Sequence, residues 1–289
     1  MIIKYVSRLA TEMKKQIHEL DQVCSKADGV KYLTDLDDSL NAHKEMNHTF
    51  LCYEDRKLIA FLHLFAPMSS EAELSALTLP DYRRKGYFTA LLLRATEELN
   101  TFQVPDLLFV SQESFPDKHI AEHFGATYEF SEHLMSLNRS TYKVQPTAHQ
   151  KIVMKPQKME YLEQLIDVSV SSFNDSREDA RSLIEMALLS ANRRGFMAML
   201  DDKIIGICYV RFDETEAFIF GFGVQAEAQG RGLGGAFLRL ILNELFSGAV
   251  SVVKLEVASR NASALHLYKK MGFTADETID YHRVHVKDL

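Results

Sequence analysis

Two stretches of this chain run in parallel, 146 residues apart. Asp55-Arg56-Lys57-Leu58-Ile59-Ala60 lies over Asp201-Asp202-Lys203-Ile204-Ile205-Gly206, and the same offset carries Arg83-Arg84-Lys85-Gly86-Tyr87 onto Gln229-Gly230-Arg231-Gly232-Leu233. Phe124-Gly125-Ala126 then meets Met271-Gly272-Phe273 at an offset of 147. An offset held through separate segments marks a duplicated unit. Whatever fold the chain takes must therefore be built twice, each time from about half of its 289 residues, an ordinary domain size. The expected domains are 1–143 and 150–289. The segment between them, KVQPTAHQ at 143–150, is polar, contains a proline and lacks periodicity, so 144–149 reads as a linker.

Both copies show the same order of elements. An opening strand (2–6; 152–155) leads into helical sequence. Residues 50–54 and 57–65 alternate around a charged turn and read as a β-hairpin, with 197–200 and 203–210 as the second-copy equivalents. A strand follows (73–78; 217–224), then a glycine-containing loop and a helix (88–100; 233–246). In the second of these helices Leu238, Ile241, Leu242 and Leu245 fall on one face. Another strand (107–110; 252–257), a helix (262–270 in copy two) and terminal strand sequence complete each unit. Strands interleaved with helices around a mixed sheet predict an α+β fold.

Composition narrows the function classes. Hydrophobic residues make up 46% and charged residues 25%, which excludes a disordered or low-complexity chain. The net charge of −7 gives no general basic surplus, so no nucleic-acid partner is expected. Cys24, Cys52 and Cys208 stand far apart with no CxxC pair. That argues against a disulfide framework or zinc ribbon and fits a reducing compartment. No apolar run reaches the ~18–20 residues that span a bilayer, so no membrane association is expected. The N-terminal sequence has too short an apolar stretch for a signal peptide. The expectation is a cytoplasmic protein. His119 and His123 stand four apart without the glutamate position of a zincin, and no metal is expected. His282 and His285, in the last strand, are expected to be exposed.

The second glycine loop carries the clearest chemistry. Gly230, Gly232 and Gly235 satisfy G-x-G-x-x-G after a strand and before a helix, and Glu256 follows about twenty residues on. Glycines let backbone N–H groups approach a diphosphate, and a helix N-terminus favours negative charge. Two features count against a nicotinamide cofactor. Gln225-Ala226-Glu227-Ala228 separates the strand from the loop, where a dinucleotide fold turns directly into its first glycine. Copy one also keeps only the middle glycine, Gly86.

Gln229-Gly230-Arg231-Gly232-Leu233-Gly234 resembles the coenzyme A-binding loop of the GCN5-related N-acetyltransferases (GNAT). A second segment, from Leu255-Glu256-Val257 through Asn261-Ala262 and Tyr268 to Gly272-Phe273, resembles a later motif of the same family. Copy one matches more weakly. The resemblance implies two tandem GNAT-like domains, each a mixed, mostly antiparallel sheet flanked by helices, with a degenerate first domain and a catalytic second one. It implies acetyl-coenzyme A as co-substrate and a bulge near Val224 that frees backbone groups for the pantetheine and thioester. The amides of Gln229, Gly230, Arg231, Gly232, Leu233, Gly234 and Gly235 would hold the diphosphate. Asn261 would cap its helix and reach the coenzyme. Tyr268 would protonate the departing thiolate, and Glu256 would assist deprotonation of the amine, as a glutamate at similar spacing does in ribosomal-protein N-terminal alanine acetyltransferases. The position six residues before Val224, another familiar base site, is Phe218. Glu216 lies on the same strand face as a water-mediated alternative. In copy one Ala121 replaces Tyr268, Ser114 replaces Asn261 and Phe88 replaces Gly234, so no chemistry is expected there, although Arg83 and Gly86 keep a phosphate-holding pattern.

The resulting expectation is acetyl transfer to a primary amine of a small molecule. Two alternatives stand beside it: a protein or peptide N-terminus as acceptor, and a non-catalytic protein that senses acyl-coenzyme A. A homodimer is compatible with the sequence.

Overall fold

The structure, a computed structural model, describes every residue except 33, 38, 116–118 and 145–151. The first copy runs β1 (Ile2–Val6), α1 (Thr11–Asp28), β2 (Thr49–Glu54), β3 (Lys57–Phe65), β4 (Glu71–Thr78), α2 (Tyr87–Thr101), β5 (Asp106–Gln112), α3 (Ile120–His123) and β6 (Thr127–Asn138). The second runs β7 (Val153–Pro156), α4 (Leu162–Phe173), α5 (Arg177–Leu189), β8 (Arg193–Leu200), β9 (Lys203–Asp213), β10 (Glu216–Val224), α6 (Leu233–Ser247), β11 (Val252–Ala258), α7 (Ala262–Met271) and β12 (Thr274–His285). The expected linker lies outside the described residues apart from Val144.

Local chemistry explains the repeated hairpin. Asp55 and Arg56 both take positive φ (47° and 67°), and so do Asp201 and Asp202 (48° and 62°). Two consecutive left-handed residues form the two-residue turn whose twist matches paired strands.

The compact units are Met1–Ser131 with Thr278–Leu289, and Glu132–Glu277. They depart from the ranges 1–143 and 150–289 because the copies exchange their last strands. In the first unit, β1 to β5 lie in order and are closed by residues 279–285 of β12, with Gln112 opposite Ile279. In the second, β7 to β11 lie in order and are closed by residues 132–138 of β6, with Ala258 opposite Glu132. Each sheet is antiparallel except for one parallel pair, β4–β5 or β10–β11. The two exchanged segments occupy equivalent registers. Either could serve either sheet by its alternation alone, so local sequence does not reveal the exchange.

Arg283 anchors the strand that completes the first unit. It donates to Asp106 at 2.8 Å, to Glu71 at 2.7 Å and to Glu129. His282 beside it is buried rather than exposed, packed against the Tyr128 ring at 5.7 Å, while His285 is exposed and pairs with Asp106.

In the second unit the two faces of the sheet carry separate cores. Cys208 and Val210 of β9 belong to the cluster with α6, and Ile207 and Tyr209 to the cluster with α4 and α5, as strand alternation requires.

Candidate active site

The cleft in the second unit begins where a ladder fails. The parallel pairing of β10 with β11 runs from Glu216–Val252 to Ile219–Leu255 and stops, although β10 continues to Val224 and β11 to Ala258. On its other side, β10 pairs Phe220 with Tyr209 and next Gly223 with Ile207. Gly221 and Phe222 thus face Cys208 alone, a β-bulge near Val224, two residues before it. Val224 itself is paired, opposite Gly206, and its carbonyl accepts a hydrogen bond from Gln229 Nε2 at 2.9 Å.

Glycine is demanded at the bulge. Gly221 has φ +54°, and a Cβ there would sit 2.8 Å from the Tyr209 ring. A Cβ on Gly223 would sit 2.6 Å from Phe173 Cζ and 2.7 Å from Ser172 Cβ. The end of α4 therefore packs directly on bulged backbone, and Ser172 and Phe173 form one wall of the cleft.

The glycine loop forms the next wall. Gly230 and Gly232 are both left-handed (φ 70° and 75°), and Gly232 caps α6. The cleft has a volume of about 830 Å³. Val224, Gln229, Gly230, Gly232, Leu233, Gly234, Gly235, Glu256, Asn261 and Tyr268 all line it; of the second-copy residues assigned to the coenzyme or to catalysis, Arg231, which is exposed, and the alternative base Glu216 lie outside the lining. A Cβ at Gly234 would meet only Val224 Cγ2 within 4 Å, at 3.6 Å, so this position opens onto free space.

Asn261 caps α7, its Oδ1 accepting from the Ala264 N–H at 3.0 Å. Tyr268, two turns on, is 6% exposed and packs edge-on against Phe222 and Phe273, at 6.4 and 5.9 Å between centroids. Burial, with a smaller contribution from nearby Cys208, pushes its phenol well above the ordinary value, so the hydroxyl is protonated at neutral pH. Glu256 is exposed on β11 and reaches the cleft from the opposite strand. Glu216 is paired with Lys254 at 2.5 Å and does not line the cleft, which removes it as a base there. Sequence reading missed Phe220, Phe222, Ser172 and Phe173. The run Phe218-Ile219-Phe220-Gly221-Phe222-Gly223 held the signal for the first two, since glycines among strand aromatics mark a bulge.

Copy one keeps the loop and fills the cleft. Arg84 and Gly86 repeat the left-handed pair (φ 57° and 83°), and Arg83 donates to the Thr78 carbonyl as Gln229 does to Val224. The Arg83 guanidinium is also held by Asp28 at 2.7 and 2.6 Å, which corrects its reading as a phosphate ligand. The β3–β4 ladder has no register shift, so the bulge is missing. Pairing of β4 with β5 again stops early, at Leu74–Phe109, but three rings pack together beside it. Phe88 lies edge-on to Phe124 (5.4 Å) and Phe109 (6.5 Å), which stack on each other at 6.0 Å.

The sequence model described as the Acetyltransferase (GNAT) family matches residues 14–125 and 159–273, once in each copy. The chain belongs to that family. Among curated relatives, the mycothiol acetyltransferase of Streptomyces griseus is 34% identical over 84 residues, 28% of this chain and 27% of the relative. The [ribosomal protein bS18]-alanine N-acetyltransferase of Escherichia coli K12 is 40% identical over 78 residues, 27% of this chain and 53% of the relative. The chain thus spans between about a quarter and half of these relatives' length. A GCN5-related N-acetyltransferase from Sphaerobacter thermophilus superposes with a TM-score of 0.75 at 16% identity, over 99% of this chain and 95% of the other. A tandem GNAT protein from the clavulanic acid biosynthesis pathway does so with 0.74 at 16% identity, over 99% of both chains. These likenesses establish a tandem GNAT fold. No group of His, Cys, Asp or Glu among the described residues is arranged to hold a metal, and no described helix is long and apolar enough to cross a membrane.

Proposed function

We propose that the second copy transfers an acetyl group from acetyl-coenzyme A to a primary amine of a small molecule. The observation that carries this reading is the continuity of one cleft from the left-handed glycine loop, past the bulge, to the buried Tyr268 hydroxyl. The loop amides and the start of α6 favour a diphosphate. The splay between β10 and β11 leaves main-chain groups for an extended arm, and a bulge beside it supplies polar groups where a thioester carbonyl would gain charge.

An amine nitrogen attacks the thioester carbon, the C–N bond forms, and collapse breaks C–S. Tyr268 hydrogen-bonds the leaving sulfur and supplies its proton. The attacking nitrogen loses a proton to water or to Glu256, and that proton restores the phenol. The side chains at the far end of the cleft, Ser172, Phe173 and Phe220, suit a compact acceptor with apolar surface. The names of the relatives include one small molecule, mycothiol, and the neighbouring tandem protein belongs to a small-molecule pathway.

A protein or peptide N-terminus is the second reading. It is favoured by the place of Glu256 in the cleft and by the similarity to the bS18-alanine acetyltransferase. Release of free coenzyme thiol, followed with a panel of small amines and of N-terminal peptides, distinguishes the two. Turnover with peptides alone would overturn the small-molecule reading, and turnover with neither, despite coenzyme binding, would favour a sensor. The first copy, with its cleft filled, is assigned a structural role. We further assign the protein to the cytoplasm.

A further inference from the structure

The cleft does not end at the glycine loop. It continues between α6 and α7, which approach closely at Gly235: a Cβ there would meet Leu267 Cδ1 at 3.4 Å and Met271 Cε at 3.6 Å. One turn further on, Arg239 of α6 faces the same groove, since residues four apart on a helix lie on one face. Across from it, His266 and Lys270 stand four apart on α7 and line the groove as well. Arg239 is half-buried, its Nε inaccessible and without a hydrogen-bond partner. Among the described residues no carboxylate pairs with Arg239 or Lys270. That is notable in a chain with 40 acidic and 33 basic residues, where a free cation could readily have found a partner. Among the described residues that line the cleft the one carboxylate, Glu256, belongs to β11 rather than to either helix.

From the first residue of α6, Leu233, to Arg239 the helix rises about 9 Å. A diphosphate at the helix start would therefore have Arg239 within the span of one ribose that carries a second phosphate, with Lys270 and His266 lining the same groove. We infer that Arg239 and Lys270, with His266 at the edge, bind the 3′-phosphate of the coenzyme's ribose and make the protein select 3′-phosphorylated coenzyme over its dephosphorylated form. The inference rests on the coenzyme reading above and adds to it a specificity that the backbone loop cannot supply, because amides at the helix start contact only the diphosphate. Charge-assisted hydrogen bonds from a guanidinium to phosphate are the strong class of polar contact.

The test is calorimetric titration of the full chain with acetyl-coenzyme A and with acetyl-3′-dephospho-coenzyme A. It is repeated for Arg239→Gln and Lys270→Gln. Wild type is expected to prefer the phosphorylated ligand by about tenfold or more, as loss of a charged contact implies. Each variant should shrink that ratio by about threefold or more. The ratio is taken within one protein, so a loss of stability does not mimic the effect, and Lys270 is exposed on α7 and tolerates replacement if Arg239→Gln does not fold. Equal affinity of wild type for the two ligands overturns the inference and leaves the coenzyme reading intact. A preference that both variants retain in full overturns it too. Binding of neither ligand removes the coenzyme reading and this inference with it.

Discussion

Replacing Gly234 with phenylalanine would give the second copy the plug that the first already has, since Gly234 aligns with Phe88. The only atom within 4 Å of a Cβ at Gly234 is Val224 Cγ2, so the backbone need not move to accept a side chain. The new ring would point into the cleft toward Leu255 and Met271, which align with Phe109 and Phe124. Phenylalanine is a better helix former than glycine by about 0.5 kcal/mol. Burying part of its ring adds ~1 kcal/mol by area. The ligand-free variant should therefore melt no lower than wild type. Coenzyme affinity should fall at least about 100-fold, roughly 2.7 kcal/mol. Wild type with acetyl-coenzyme A at about 100 times its Kd gains about 2.7 kcal/mol, a rise of roughly 5–10 °C, and the variant should show no rise. Titration should give one site per wild-type chain and none in the variant. A variant that still binds with wild-type affinity would refute the assignment of the splay to the pantetheine arm. A residual site of unchanged strength would show instead that copy one binds coenzyme despite its three rings.

Tyr268→Phe should lower kcat about ten- to a hundredfold with coenzyme affinity unchanged; because burial holds the phenol above its ordinary value of 10, wild-type kcat should show no alkaline loss below pH 10, and an earlier decline would contradict the assignment. His63 is 2% exposed with its pKa pushed down to about 4, mainly by burial. Its folded value lies below the unfolded 6.5, so its neutral form costs nothing above pH 6.5, and stability is lost as the unfolded state takes up protons from there down to about pH 4. Denaturant titrations should show the first unit about 2 kcal/mol less stable at pH 5 than at pH 7, a slope that His63→Gln removes. Arg283→Ala leaves Glu71, Asp106 and Glu129 without their shared partner and should destabilise the first unit by about 1–3 kcal/mol. Unchanged denaturation midpoints in that variant would show that the ion cluster does not hold the exchanged strand.

The architecture of each copy was legible because its signals are local. The Asp55-Arg56 and Asp201-Asp202 turns, the apolar face of α6 and the glycine before it each act over a few residues, and the repeat doubles every one of them. The cleft was legible for the same reason wherever a motif supplied its residues. The exchange of β6 and β12 was not, because a strand's alternation says which face it buries and not which sheet edge it joins. The resemblance placed the bulge only near Val224; its exact position is set by Gly221 against Tyr209 and by α4 against Gly223, contacts between distant segments. Arg83 looked like an anion ligand in sequence. Only Asp28, 55 residues away in the chain, shows that its charge is already used. His282, in the last strand, is expected from sequence to be exposed, and Tyr128, far back in the chain, packs against it instead.

A crystal structure of the chain with acetyl-coenzyme A tests the central claim most directly. The account predicts the diphosphate on the amides between Gln229 and Gly235, and the sulfur within hydrogen-bond reach of the Tyr268 hydroxyl, about 3–3.5 Å. A coenzyme bound with its sulfur remote from Tyr268, or seated against the filled cleft of the first copy, would contradict it.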